Sequence, residues 1–277
     1  MRLARTKKGK RRIMKKTILI MTLVLAMLCG VSAMETNTVK ILTIGNSFAD
    51  NALMLLGNIT RSVPGCKIVV GKANIGGCYL EKHAKLIKDC EADPLLKPYY
   101  KKYTLKERLK KDKWDVVTIQ QVSHKSFKSE SYQPYADEIV ECIKTNAPQA
   151  EIVIHQTWAY APSCKRLPGF GITRDEMHSG LTKCYTDLSK HYDGMRIFPS
   201  GNALYKSYKQ FPEINLWNSD GYHANQSGCY LAGCVWFGEL FGVSPEKVTW
   251  SPKGMDLEVA KKLRKVAAEV LGQATAK

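Results

Sequence analysis

The chain has 277 residues, 44% of them hydrophobic, which is enough for one large domain with a well-buried core. Its net charge of +17 suggests a nucleic-acid partner, but nine of the 42 basic residues lie within the first 33 residues, where no acidic residue occurs. The remaining 33 basic residues are set against 25 acidic ones, a net charge of +8, so we expect no nucleic-acid binding.

The first 33 residues have the pattern of a secretory signal peptide. Basic residues are followed by an apolar run over residues 18–28 and then by small residues that end at Ala33. The run is well short of the roughly 20 residues that span a bilayer. We therefore expect cleavage after Ala33, export to the periplasm or the exterior, and no stable membrane insertion. Residues 14–33 also form a complete signal by themselves, so Met14 is an alternative start.

The cysteines bear on anchoring, disulfides and metal binding. Leu28 precedes Cys29, where a lipoprotein signal has a small residue, so lipid anchoring is not expected. Eight of the nine cysteines lie in residues 34–277, which we predict to be a single domain. An even number in an exported chain permits disulfides, and the sequence leaves their pairing open. No CxxC spacing occurs and the histidines are scattered, so we expect neither a metal site nor a cofactor.

Short β-branched segments alternate with stretches of helical period, which is typical of a parallel sheet covered by helices on both faces. The predicted strands cover residues 39–45, 67–73, 114–120, 151–157 and 195–199. The predicted helices cover residues 50–63, 95–111, 134–146, 174–192, 202–210, 225–241 and 257–271. The strands are almost continuously apolar, which indicates burial on both faces. The longest irregular stretches are residues 121–133 and 159–172.

Two distant segments together contain the groups of a serine nucleophile. Ser47 follows the first predicted strand, and Asp220 and His223 lie three residues apart in a polar turn before a helix. A serine hydroxyl is a poor nucleophile unless an imidazole takes its proton and a third group orients that imidazole. The alternatives are that Ser47 only caps a helix and that the Asp220 turn is an ordinary surface turn.

Further polar positions follow the other predicted strands, and the carboxyl ends of parallel strands meet where α/β proteins bind ligands. Gly76 and Gly77 come after the second strand, and Gln120 and Gln121 come at the end of the third. An exposed glycine N–H or a glutamine amide can stabilise an oxyanion. Equally, the glycines can be turn residues and the amides can satisfy loop backbone.

In order and spacing, residues 44–48, 75–78, 117–120 and 220–223 resemble the blocks of the SGNH/GDSL hydrolase superfamily. The resemblance covers most of residues 39–242. Residues 120–123 and 155–160, with the glycine-rich helix after His223, look like a secreted bacterial branch that has no assigned substrate. The resemblance implies a flavodoxin-like, three-layer α/β/α sandwich with a five-stranded parallel sheet, and ester hydrolysis through an acyl-enzyme.

By motif position, the resemblance implies that Ser47 is the nucleophile, His223 the general base and then acid, and Asp220 its orienting group. The implied oxyanion hole consists of the Ser47 N–H, the Gly77 N–H and the Gln120 side chain. Two positions depart from the family pattern. Asn46 replaces the usual aspartate before the serine, and Gln120 replaces the usual asparagine, with Gln121 as the alternative donor.

The expected function is an exported serine esterase that removes acetyl groups from a carbohydrate. Sugar rings stack on aromatic faces, and four aromatic residues lie near the expected mouth of the site, although they can equally belong to the core: Trp158, Tyr160, Trp217 and Tyr222. One alternative is a lipase or thioesterase. Another is a catalytically silent glycan-binding protein on the same fold, which the two departures from the family pattern would suit. The oligomeric state is left open.

Overall fold

The computed structural model describes residues 36–274, and the predicted signal peptide lies outside these residues. Within them the strands form one parallel sheet in the order β2-β1-β3-β4-β5, which is the flavodoxin-like order. The strands are β1 (Asn37–Gly45), β2 (Cys66–Asn74), β3 (Val116–Ile119), β4 (Glu151–His155) and β5 (Ile197–Phe198). The predicted α/β/α sandwich with a five-stranded parallel sheet is confirmed.

Helices cover both faces of this sheet. They are α1 (Ser47–Leu53), α2 (Leu56–Arg61), α3 (Leu80–Ala92), α4 (Leu105–Lys110), α5 (Tyr135–Asn146), α6 (Leu167–Phe170), α7 (Arg174–His191), α8 (Ser200–Gln210), α9 (Gln226–Phe241) and α10 (Leu257–Val270). The nearly all-apolar helix α9 packs against α1, α2, α8 and α10, whereas α3 and α4 pack against α5. Two short 3₁₀ helices, Ser129–Ser131 and Pro245–Lys247, complete the regular elements described.

The structure corrects the prediction of one long helix over residues 95–111. Tyr99 and Tyr103 instead form an isolated bridge, and Tyr100 and Lys101 between them have positive φ angles of 58° and 55°. Helix α4 begins only after Thr104, whose side chain forms a capping box with Glu107.

Helix α3 was missed by the sequence analysis. Its buried residues are Leu80, His83 and Ala84. Two of these core-facing positions are therefore a histidine and an alanine, so the helix lacks the periodic large apolar residues that would predict it. The predicted helix over residues 50–63 is divided into α1 and α2, and it begins earlier than predicted, at Ser47.

The inner strands are buried as expected, but the edge strand β2 is not. Six of its nine residues are partly or fully exposed, because β1 covers it on one side only and its other edge is free of strands in the described residues. The strand ends are in register: Gly45 pairs with Asn74, and Ile44 pairs with Ile119, which pairs in turn with Ile154. The loops that follow these strands therefore meet at one edge of the sheet.

None of the helices in residues 36–274 is long and apolar enough to cross a membrane. The eight cysteines of this part of the chain form no disulfide, and six of them are buried. Burial raises the pKa of the Cys229 and Cys234 thiols, each to about 12. These cysteines therefore pack as small apolar side chains.

Candidate active site

Ser47, His223 and Asp220 meet at the carboxyl edge of the sheet. Ser47 is the first residue of α1, directly after β1, and its Oγ lies 2.8 Å from Nε2 of His223. The other ring nitrogen, Nδ1, lies 2.7 Å from Oδ2 of Asp220. In the tautomer that this pairing favours, Nδ1–H donates to the carboxylate and Nε2 accepts from the serine hydroxyl. The arrangement can take a proton from Ser47.

Backbone contacts hold the Asp220 carboxylate in place. Its Oδ1 accepts from the N–H groups of Tyr222 at 2.9 Å and His223 at 3.0 Å. Partial burial opposes ionisation, but these two N–H groups and the imidazole hold the pKa of the Asp220 carboxyl below its ordinary value. The carboxylate is therefore charged at neutral pH and available to stabilise an imidazolium.

Asn46, rather than Ser47, caps helix α1. Its Oδ1 accepts from the N–H of Phe48 at 3.0 Å, and its Nδ2 donates to the carbonyl of Cys78 at 2.9 Å. The second bond ties the start of α1 to the loop that contains Gly76 and Gly77. An aspartate carboxylate has no N–H to donate, so the asparagine at this position has a structural reason.

In place of the predicted oxyanion role, the structure places Gln120 behind Asn46 and away from the cavity wall. Its Nε2 donates to Oδ1 of Asn46 at 2.8 Å, and its Oε1 lies 2.6 Å from Nδ1 of His155. Burial lowers the pKa of His155 to about 3, so this ring is neutral and donates from Nδ1. A Cβ on Gly45 would lie 2.9 Å from the Gln120 side chain, so a larger residue at position 45 would displace that side chain.

Gln121, the alternative donor, is also engaged inside the protein. Its Oε1 accepts from the N–H groups of Leu80 and Val122, at 3.1 and 2.8 Å. Its Nε2 donates to the carbonyl of Ser131 at 2.7 Å. This amide fixes the start of α3 relative to the loop after β3.

A cavity of about 320 Å³ opens at Ser47 and His223. Gly77 belongs to its wall, with a φ of +65° that favours glycine, and a Cβ there would meet no atom within 4 Å. The lining residues are Asn46, Ser47, Phe48, Gly76, Gly77, Val122, Ser123, His124, Arg166, Tyr222 and His223. The structure therefore brings the predicted Gly77, Ser47 and His223 to one space, with Asp220 behind His223.

Of the four aromatic residues expected at the mouth, only Tyr222 lines this cavity. Trp158 and Tyr160 are fully buried and Trp217 is 4% exposed, so they belong to the core and offer no face to a ligand. Trp158 stacks on Phe48 at 4.5 Å and donates from Nε1 to the carbonyl of Tyr222 at 2.9 Å. Trp158 therefore holds the backbone of the turn that contains Tyr222 and His223.

Four lining residues were not anticipated from the sequence: Val122, Ser123, His124 and Arg166. They lie in the two longest irregular stretches, after β3 and after β4. Residues 122 and 123 belong to a segment of the family resemblance, but no motif marks His124 or Arg166. The topology was the available signal, because β3 lies beside β1 and β4 lies beside β3, so both stretches begin at the edge of the sheet where Ser47 lies. Residues 36–274 contain no group of three or more His, Cys, Asp or Glu side chains that could hold a metal ion.

The strand order, with a serine directly after β1 and an Asp-x-x-His turn before the last long helices, is that of the SGNH-type fold. The chain belongs to the DUF4886 family, described as a domain of unknown function, which it matches over residues 40–270. It resembles the crystal structure of a DUF4886 family protein from Bacteroides uniformis at 26% identity, with a TM-score of 0.77, covering 87% of this chain and 98% of that one.

More distant structures share the fold. One is a candidate SGNH hydrolase from Slackia heliotrinireducens, at 22% identity and a TM-score of 0.55, covering 74% of this chain and all of that one. Another is the acetyl xylan esterase AlAXEase, at 13% identity and a TM-score of 0.51, covering 73% of this chain and all of that one. Comparison with curated proteins gave no match.

Proposed function

We propose that the chain is a serine esterase that removes acetyl or another small acyl group from a carbohydrate. The observation that carries this proposal is the hydrogen-bonded series from Ser47 Oγ to His223 at 2.8 Å, both on the wall of one cavity, and on to Asp220 behind them at 2.7 Å. Hydrogen-bond distances of this size permit proton transfer as the serine attacks. Structures of the same fold include an acetyl xylan esterase, so the fold accommodates this chemistry.

In the proposed first step, Ser47 Oγ attacks the ester carbonyl carbon while its proton moves to Nε2 of His223. The carbonyl oxygen becomes an oxyanion that accepts from the N–H groups of Ser47 and Gly77. The N–H of Ser47 is suited to this because the first N–H groups of a helix have no acceptor within it. The carbon–oxygen bond to the alcohol then breaks, and the alcohol oxygen takes the proton from His223.

In the second step, water attacks the acyl group on Ser47 and gives its proton to His223. The ester bond to Ser47 breaks, the serine oxygen recovers the proton, and the carboxylic acid leaves. Asp220 stays ionised throughout and stabilises the imidazolium in both steps. Asn46 and Gln120 hold Ser47 in position from the opposite side.

Labelling with a fluorophosphonate tests whether Ser47 is an activated nucleophile. The wild-type protein should be labelled, and Ser47→Ala should not. Ser123→Ala is the matched control, because Ser123 has the other serine hydroxyl of the cavity and bonds to Tyr160 at 2.9 Å. Absence of labelling in folded wild-type protein would favour the silent glycan-binding alternative.

Cavity size supports a short acyl group over the chain of a lipase or thioesterase substrate. The space is about 320 Å³, and Phe48 and Val122 are its only fully apolar side chains apart from glycine. Among 4-nitrophenyl esters we therefore expect acetate to be hydrolysed with a higher kcat/KM than octanoate. A preference for octanoate would support the lipase alternative.

Export is part of the proposal and rests on the sequence pattern of residues 14–33. Expression of the full chain in a bacterial host should give a mature protein in the periplasm or medium whose first residue is Met34. N-terminal sequencing measures this directly. Recovery of the intact chain from the cytoplasm would contradict export and leave the esterase proposal unaffected.

A further inference from the structure

Arg166 reaches the cavity of Ser47 without a carboxylate partner. Its guanidinium carbon lies 3.9 Å from the centre of the Tyr222 ring, and its Nη2 donates to the Tyr222 hydroxyl at 3.1 Å. None of the ion pairs among residues 36–274 includes Arg166. Arginine is well suited to bind planar anions through its remaining N–H groups. Stacking on Tyr222 holds it ready to do so.

The rest of the cavity wall contains no acidic side chain, which leaves the guanidinium of Arg166 as its permanent charge. None of its lining residues is Asp or Glu, since Asp220 lies behind His223. His124 is also part of the wall, and burial lowers its pKa, helped by the charges of Lys125, Arg166 and Lys128. The cavity therefore has the electrostatic character of an anion site.

The position of Arg166 indicates which half of an ester it meets. His223 gives its proton to the leaving alcohol oxygen, so groups on the side of His223 contact the alcohol half of the substrate. The rings of Tyr222 and His223 are 4.4 Å apart, and Arg166 lies on Tyr222. Gly77, the proposed oxyanion donor, belongs to the loop after β2 instead.

We propose that Arg166 binds a carboxylate on the alcohol half of the substrate, so that the enzyme deacylates glycans containing uronic acid units. The inference rests on the proposed esterase function and specifies its substrate class. It needs no change in the chemistry at Ser47. The carboxylate of the sugar pairs with the guanidinium while the acyl group lies beside Ser47.

Two substrates that differ in the charge at C6 test the inference, with release of acetate as the readout: an O-acetylated methyl glucuronoside and its C6 methyl ester. For the wild-type protein we expect kcat/KM to be about 10- to 100-fold higher for the free acid, the range of a hydrogen bond to a charged group. Arg166→Gln should remove this preference by raising KM for the acid, so that the ratio of kcat/KM between acid and methyl ester falls to about one.

Lys165→Gln is the matched control. It removes the same charge one residue away, from a side chain that lines a different groove, so it should keep the preference for the acid. If Lys165→Gln and Arg166→Gln lose the preference for the acid equally, the cause is a general loss of positive charge, and the assignment to Arg166 is overturned. Equal hydrolysis of acid and methyl ester by the wild-type protein would also overturn it while leaving the esterase function intact.

Two further measurements separate the remaining outcomes. If 4-nitrophenyl hydrogen succinate is preferred over 4-nitrophenyl acetate and Arg166→Gln removes that preference, the anion belongs to the acyl half and the proposed placement is wrong. Binding of methyl glucuronoside to the Ser47→Ala protein, followed by NMR titration, measures the subsite without catalysis. We expect the Kd to be at least tenfold higher when Arg166→Gln is added to the Ser47→Ala protein. No binding to either protein would refute the inference.

Discussion

Replacing Asn46 by aspartate changes one buried hydrogen bond at the base of the nucleophile. Asn46 is 1% exposed, and both donors to its Oδ1, from Phe48 and Gln120, remain available to a carboxylate oxygen. The second oxygen would instead face the carbonyl oxygen of Cys78, where Nδ2 now donates at 2.9 Å. Asn46→Asp therefore leaves a buried carbonyl without a donor, which costs about 1–3 kcal/mol of stability at neutral pH.

The cost should depend on pH in a defined direction. Burial without a cationic partner raises the pKa of the new carboxyl above its value of about 4 in the unfolded chain. Below pH 4 both states are protonated, and the protonated oxygen can donate to Cys78 O. Between about pH 4 and the raised pKa of the folded state, the carboxyl is ionised in the unfolded chain and still protonated in the folded protein. In this range stability falls by up to about 1.4 kcal/mol per pH unit.

Urea unfolding of Asn46→Asp and of the wild-type protein at pH 5 and pH 8 gives the difference in unfolding free energy between them at each pH. Asn58→Asp is the control, because Oδ1 of Asn58 accepts from Arg61 at 2.6 Å and a carboxylate keeps that bond. We expect the loss for Asn46→Asp to be larger at pH 8 and the control to stay within about 0.5 kcal/mol of wild type. An Asn46→Asp protein as stable as wild type at pH 8 would refute the reasoning.

Three further outcomes are expected. Asp220→Asn should lower kcat on the order of 10³- to 10⁴-fold in steady-state assays. The backbone N–H groups of Tyr222 and His223 keep the amide oxygen at the Oδ1 position, so the new NH₂ group faces the imidazole and favours the wrong histidine tautomer. A near-normal kcat would contradict this. Burial lowers the pKa of His83 to about 4, so this residue alone should contribute on the order of 3 kcal/mol to the fall in unfolding free energy from pH 6.5 to pH 4. The fall measured for His83→Gln should be smaller than that of the wild type by this amount. Gly77→Ala should cost about 1–2 kcal/mol in denaturant unfolding because its φ is +65°, whereas Gly76→Ala, with a negative φ, should cost less, and equal losses would argue against backbone strain.

Much of the fold was predictable because local patterns and topology agree. All five strands exist within a few residues of their predicted positions, and the parallel order follows from the alternation of strands and helices. The errors fall where tertiary contacts replace an apolar signal. In α3 the buried position 83 is a histidine that bonds to Tyr99 and to the carbonyl of Gly45, which no hydrophobic pattern would identify.

The site was predictable only as far as backbone and motif define it. Ser47, Asp220 and His223 lie in short segments whose chemistry is visible in the sequence, and the structure brings them together. The direction of a side chain is not visible in that way. Trp158 follows β4 as a ligand-binding residue would, yet it points into the core, whereas Arg166 reaches the cavity from a loop with no motif.

The two departures from the family pattern form one structural unit. Gln120 is one methylene longer than asparagine, and its side chain passes over Gly45 to reach Asn46 at 2.8 Å. Asn46 then accepts from that amide and donates to Cys78, so both ends of its side chain are used. A charged aspartate would gain from the Gln120 donor but would repel the Cys78 carbonyl. The start of helix α1, where the nucleophile lies, is thus held by the neutral amides of Asn46 and Gln120.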